Sequence, residues 1–155
     1  MIRAWRLDKA KRTQAESFSG EGARLSGGRW NRAGARAVYA SESLALAALE
    51  KFVHTQEEGR RMALVAYGLE IPESVAVDRP RLERLPPNWR AQPAPAETQD
   101  FGAAWLIRRE KAVLLIPSII VPSEYNLLLN PEHRDFAKIK IISRVAFAFD
   151  SRLWK

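Results

Sequence analysis

Residues 36–54 read RAVYASESLALAALEKFVH, and a change of period inside that stretch decides how the chain folds. Arg36 to Ala40 is short, with the β-branched and aromatic content of a strand. Ser41 or Ser43 can then cap a following helix by accepting a hydrogen bond from a free backbone N–H. From Leu44 to about His54, Leu46, Leu49 and Val53 recur at three- and four-residue spacing, which predicts a helix with that stripe turned inward. Glu50 lies four residues after Leu46 and three before Val53, so the helix carries a carboxylate on or beside its inward face. Burying an unpartnered carboxylate is expensive. Glu50 is therefore either a structural partner of an Arg or Lys or a group used in chemistry, where it could stabilise a sugar-like cation or polarise a hydroxyl.

Working outward from that step, Met62 to Ile71 (MALVAYGLEI) has strand composition. Residues 72–95 hold most of the prolines and read as irregular, with one short strand and with Leu82, Leu85 and Trp89 as apolar anchors. Thr98 to Glu110 reads as a helix capped by Thr98. Ala112 to Val121 (AVLLIPSIIV) reads as a buried strand interrupted at Pro117, and Lys138–Ile142 and Val145–Phe149 as closing strands. Upstream, Ile2 to Leu7 is extended and gives way to residues 11–28, KRTQAESFSGEGARLSGG, which show no period and read as a loop. Short strands alternating with two helices, without internal repeats, predict a single compact α+β domain spanning 1–155. Its sheet should be curved and mainly antiparallel, with flanking helices.

Composition narrows the classes of function. With 25 Lys and Arg against 18 Asp and Glu, the formal charge is +7, which favours phosphate-bearing or acidic partners. The excess is scattered rather than gathered into a run, so it does not select nucleic acid. Cysteine is absent, which removes thiolate catalysis and disulfides and fits a reducing, cytoplasmic compartment. His54 and His133 are far apart and lack the spacing of metal ligands, so no metal is expected, and His133 reads as a turn residue. No GxSxG elbow, GxxxxGK[ST] loop or GxGxxG fingerprint is present. The N-terminal MIRAWRLDKAKR lacks an apolar leader core, and no run approaches a membrane span, so no membrane partner is expected.

Two further clusters could carry chemistry. Gly27-Gly28-Arg29-Trp30-Asn31 combines glycines that let backbone approach a ligand with a planar guanidinium fork for phosphate or carboxylate; the alternative is a surface turn with Arg29 stacked on Trp30. Residues 121–133, VPSEYNLLLNPEH, join a strand end to a polar turn in which Ser123 either bonds a ligand or stabilises the turn.

Trp5-Arg6, GGRWN at 27–31, VYASESLALAALE at 38–50 and VPSEYNLLLNPEH at 121–133, taken in order, resemble the RES domain, named for its Arg, Glu and Ser. The resemblance covers nearly the whole chain. It implies that the family Arg, Glu and Ser fall on Arg29, Glu50 and Ser123, with Tyr39 as a fourth catalytic member. It also implies substrate contacts at Arg6, Gly28, Trp30, Asn31 and Asn130. It further implies an ADP-ribosyltransferase-like fold, NAD as substrate rather than any cofactor, and inorganic phosphate, water or a protein side chain as acceptor. The expected partner is an Xre-like antitoxin that forms a neutralising hetero-oligomer and supplies any DNA contact. Two other classes compete with this reading. A nucleic-acid-binding module is motivated by the +7 charge and the aromatic residues, and a catalytically inert interaction domain would keep only the fold.

Overall fold

The strand-to-helix step predicted at 36–54 is present in the computed structural model, which describes residues 1–154. Strand β2 (Val38–Ser41) runs into helix α3 (Leu44–Thr55), and the cap is Ser43, whose hydroxyl accepts the Leu46 N–H at 3.1 Å. Around this step lie β1 (Ile2–Lys9), the short helices α1 (Gln14–Ser17) and α2 (Glu21–Ser26), β3 (Leu64–Ile71), β4 (Val77–Asp78), α4 (Ala96–Arg108), β5 (Val113–Pro117), β6 (Tyr125–Leu129) and β7 (Lys140–Phe147).

Among the described residues seven strands form one sheet in the order β4-β5-β6-β2-β1-β3-β7. Every pair is antiparallel except β4 with β5, so the sheet is mainly antiparallel as the sequence predicts. A register shift at Gly68/Leu69 against β7 marks a bulge, a feature that bends a strand. The β5–β6 half is covered on both faces. Val113, Leu115, Leu127 and Leu129 pack on one side with Val65, Tyr67 and Leu69, while Leu114, Ile116 and Leu128 pack on the other with Trp30, Trp105 and Leu106. Helix α3 lies over β1 and β3 through Ala47, Leu7 and Ala66.

Several expectations are corrected. The inward stripe of α3 is Leu44, Ala47 and Ala48 with Leu46, while Leu49 and Val53 are 40% and 46% exposed; small residues let the helix sit close to the sheet and turn the larger side chains outward. The stretch at 11–28 is not a plain loop. In it Thr13 caps α1 by accepting the Glu16 N–H and bonds the Glu16 carboxylate in return. Helix α4 starts two residues before Thr98, which is wholly buried and caps nothing, and Pro95 occupies the cap position. Leu82 is exposed, leaving Leu85 and Trp89 as the anchors of segment 72–95, which contains the one short strand expected. Strand β5 ends at Pro117, the two expected closing strands are the single strand β7, and YNLLL is the buried strand β6. His133 is a turn residue as read, its Nδ1 accepting the Asp135 N–H at 3.0 Å.

Candidate active site

The site opens at a seam in the sheet. Strand β1 pairs with β3 along its whole length and β2 pairs with β6, but β1 and β2 meet only at Trp5↔Ser41. Beyond that pair the strands part. Arg6 spans the gap that backbone bonds leave, donating from Nη1 to the Tyr39 carbonyl at 2.9 Å and from Nε to the Ser17 carbonyl at 2.9 Å. Burial holds this guanidinium below its ordinary pKa, against the raising effect of Asp8. A cavity of about 680 Å³ lies along the seam, within the usual size of small-molecule sites. Arg6 and Asp8 of β1, Tyr39 and Ser41 of β2, Glu50 and Lys51 of α3, and Gly28 and Arg29 of the preceding loop all line it.

Glu50 is half-buried and anchored through one oxygen. Its Oε1 accepts from the Ser118 hydroxyl at 2.8 Å and from Asn126 Nδ2 at 2.7 Å, and no hydrogen bond to Oε2 is made among the described residues. Ser118 is itself fixed, since its Oγ accepts the N–H groups of Ile120 and Val121, so its own proton is directed to Glu50. Asn126 is oriented from behind by Ser41, whose hydroxyl donates to Asn126 Oδ1 at 2.6 Å. Neutral donors on both sides hold the carboxylate in place without cancelling its charge.

The GGRWN turn supplies the opposite wall. Gly27 has φ +70, the left-handed region that favours glycine. A Cβ on Gly28 would lie 2.8 Å from both Asn31 Oδ1 and the Tyr39 hydroxyl, so only glycine fits there without displacing them. Arg29 donates to the carbonyls of Trp89 at 3.1 Å and Ala91 at 2.7 Å and to the Gln92 side-chain oxygen. The irregular segment thus aims the guanidinium. Burial lowers its pKa, while Glu50 and Tyr39, both within charge reach, oppose that effect. The Tyr39 hydroxyl is pushed well above its ordinary pKa by burial; it stays protonated, donating to Asn31 Oδ1 at 2.6 Å and accepting the Trp30 N–H at 3.1 Å.

Of the residues named from sequence, Arg29, Tyr39, Glu50, Arg6, Gly28 and Trp30 line the cavity, although Trp30 is 2% exposed and packs edge-on against Phe101 in the core. Ser123, Asn31 and Asn130 do not. Ser123 is exposed in the turn between β5 and β6. Asn31 is wholly buried, donating to the carbonyls of Ala23, Arg32 and Ala35, and touches the site through Tyr39 and through Gly28, whose N–H its carbonyl accepts at 3.0 Å. Asn130 is spent on the Leu106 carbonyl and the Glu132 N–H. Sequence reasoning missed Ser118, Asn126, Ser41 and the basic residues Arg12 and Lys51. The chain holds two Pro-Ser pairs, at 117–118 and 122–123, and the one that reaches Glu50 is the first. Its signal is a lone hydroxyl inside an apolar run, where an unpaired polar group would be costly.

A seven-stranded sheet split at a seam, with an Arg, a Tyr and a clamped Glu on one cavity, defines an α+β enzyme-like class of small domain. The RES domain matches residues 3–150, and the chain belongs to the RES domain family. It is 41% identical to "Toxin Res" of Yersinia enterocolitica over 92% of this chain and 94% of that protein. It is 39% identical to the "Prs ADP-ribosylating toxin" of a Sphingobium species, over 96% and 94% of the two chains. Its fold is similar to that of a chain in the crystal structure of the M. tuberculosis MbcT–MbcA toxin–antitoxin complex, with a TM-score of 0.76, 20% identity, and 95% of this chain and 84% of that chain covered. No helix among the described residues is long and apolar enough to cross a membrane.

Proposed function

We propose that this protein is the toxin of a toxin–antitoxin pair and cleaves the bond between nicotinamide and ribose in NAD. The observation that carries the reading is the clamped carboxylate: Glu50 held through Oε1 by Ser118 and Asn126, on a cavity it shares with Arg29 and Tyr39. In NAD the pyridinium already withdraws electrons from the glycosidic bond. When that bond breaks, its electron pair leaves with neutral nicotinamide, and a positively charged oxocarbenium-like ribose remains. The Glu50 carboxylate stabilises that cation through its free oxygen. Arg29 grips the ribose or diphosphate, and protonated Tyr39 orients the nicotinamide end. Water then adds at the ribose carbon and gives ADP-ribose plus a proton, or phosphate adds and gives the phosphorylated sugar.

The toxin assignment is supported by the relatives at 41% and 39% identity, and an antitoxin partner by the complex in which the structural neighbour was solved. A second reading, transfer of ADP-ribose to a protein side chain, is favoured by the name of the Sphingobium relative. It uses the same cation and the same Glu50. The test is NAD consumption by the purified chain freed of any partner, with and without phosphate and beside Glu50→Gln, the products read by mass. Loss of NAD that vanishes in the variant supports the reading, and the product identifies the acceptor. Intact NAD in every condition, with a labelled protein target, moves the assignment to transfer.

A further inference from the structure

Away from Glu50 the cavity has a second charged feature that the cleavage step does not use. Asp8, with a side chain 3% exposed, lies in the wall with Arg6 at 3.5 Å and Arg12 at 3.4 Å from its carboxylate oxygens. Lys51, next in sequence to Glu50, lines the same cavity and feels the charges of Asp8, Arg6 and Arg12. Among the described residues Lys51 has no hydrogen-bond or ion-pair partner, although it is half-buried. Two arginines paired to one buried carboxylate, with the unpaired Lys51 beside them, leave two positive charges uncompensated on a concave wall. Glu16, which also lines the cavity, is exposed and bonded to Thr13, so it does not neutralise them. Arg6 has spent its Nε and Nη1 on backbone carbonyls, which leaves Lys51 and Arg12 as the groups able to turn to a ligand.

We propose that Lys51 and Arg12, gathered with Arg6 around Asp8, form a subsite for phosphate oxyanions in the wall of the cavity. An ammonium drawn partly out of water without a partner is costly, and a doubly charged oxyanion supplies both the charge and the acceptors. Burial also depresses the Lys51 pKa, the cost of holding this ammonium partly out of water. Asp8 acts as the positioning residue that keeps the arginines turned to the wall. The inference rests on the NAD-cleavage reading in one respect. The phosphate can be the diphosphate of the dinucleotide or a free inorganic phosphate serving as acceptor.

Calorimetry separates these sources without turnover, using ADP-ribose, inorganic phosphate and adenosine as probes against the intact chain, Lys51→Gln, Lys51→Arg and Arg12→Gln, each checked for an unchanged thermal transition. Loss of one charge-assisted contact should weaken ADP-ribose about tenfold in Lys51→Gln, leave adenosine unchanged and be largely restored in Lys51→Arg. Weakened phosphate binding with unchanged ADP-ribose assigns the subsite to the acceptor instead. Wild-type affinity for both anions in folded Lys51→Gln and Arg12→Gln overturns the proposal, as does failure of the intact chain to bind either. NAD cleavage together with anion binding that is indifferent to Lys51 and Arg12 removes the subsite and leaves the reaction. Lys51-dependent anion binding without NAD loss does the reverse.

Discussion

Replacing Gly102 by alanine tests how the GGRWN turn at the cavity wall is held. In an ordinary helix interior this change stabilises by about 0.8–1 kcal/mol, because alanine gives up less backbone entropy. Here α4 crosses the GGRWN turn so closely that a Cβ on Gly102 would lie 1.7 Å from the Trp30 carbonyl oxygen and 2.6 Å from its carbon. Real contacts of this kind essentially never fall below 3.0 Å, so helix and turn must separate by more than an ångström. The turn cannot slide away freely. Gln99 donates to the Gly28 carbonyl at 3.0 Å, Arg32 pairs with Asp100, and the Trp30 N–H is bound to Tyr39. Overpacking costs about 1–3 kcal/mol, and losing the Trp30–Tyr39 bond about 0.5–1.5 kcal/mol more. Against the helix gain the net is a loss of about 2 kcal/mol, or roughly 4–8 °C in Tm for a chain of this size. Thermal and urea denaturation of Gly102→Ala measure it. Gly22→Ala is the control, since its Cβ meets only Arg12 Nη1 at 3.6 Å, and it should be neutral or stabilised. A Gly102→Ala protein as stable as the parent, with NAD cleavage intact, would refute the close docking of α4 on the site.

Ser118→Ala and Asn126→Ala should each lower kcat by up to about a hundredfold with a smaller change in KM, because Glu50 loses a fixing donor. Ser123→Ala should leave steady-state rates at the parent level, and a large loss there would return the family serine to position 123. Asn31→Ala should cost about 2–3 kcal/mol in urea unfolding, since it strips the Tyr39 hydroxyl and buried carbonyls of a shared partner. Lys51 has a folded pKa below its ordinary 10.5, so over the interval between the two the unfolded chain binds more protons and this group's contribution makes stability rise with pH. Of its charged neighbours, Asp8 opposes the shift while Arg6, Arg12 and Lys9 reinforce it. A bound phosphate should pull the value back up. Calorimetry in buffers of different ionisation enthalpy should then show proton uptake on ADP-ribose binding at alkaline pH, absent in Lys51→Gln.

The parts of the site that were legible in sequence are those with a local cause. Tyr39 and Glu50 sit either side of a capped turn, and the four-residue spacing from the buried Leu46 puts a carboxylate near the inner face of α3, although the spacing to the exposed Val53 did not mark that face. Arg29 is flagged by two glycines, of which Gly28 is needed because Tyr39 and Asn31 close in on it. What was not legible depends on long-range pairing. Strand β6 reads Tyr-Asn-Leu-Leu-Leu because both faces are covered, which erases the alternation that identifies a half-buried strand. Without β6 nothing shows that Asn126 lies opposite Ser41 and turns its amide to Glu50. The two Pro-Ser pairs are locally equivalent, and only the turn after β5 decides between them. The Thr-Gln-Ala-Glu cap of α1 was a signal in the sequence that the lack of a longer period hid.

The distribution of charge along the cavity argues for one direction of substrate binding. Glu50 is held by a hydroxyl and an amide, not by a salt bridge, so its carboxylate stays available to the cation that the proposed reaction develops. Arg29 faces it but is tied to the carbonyls of Trp89 and Ala91, which limits how far it can approach and neutralise the carboxylate. Lys51 follows Glu50 by one helical step of about 100°, so the two side chains leave α3 in different directions. Lys51 joins Arg6 and Arg12 over Asp8, where positive charge is in excess. The proposed substrate, NAD, has the matching polarity, with a cation forming at the nicotinamide ribose on cleavage and two negative charges on its diphosphate. Reversing the dinucleotide would set phosphate against carboxylate and leave the developing cation among arginines, a repulsion at both ends. The cations that line this cavity, Arg6, Arg12, Arg29 and Lys51, come from β1, the turn after it, the GGRWN turn and α3, and meet where β1 and β2 part.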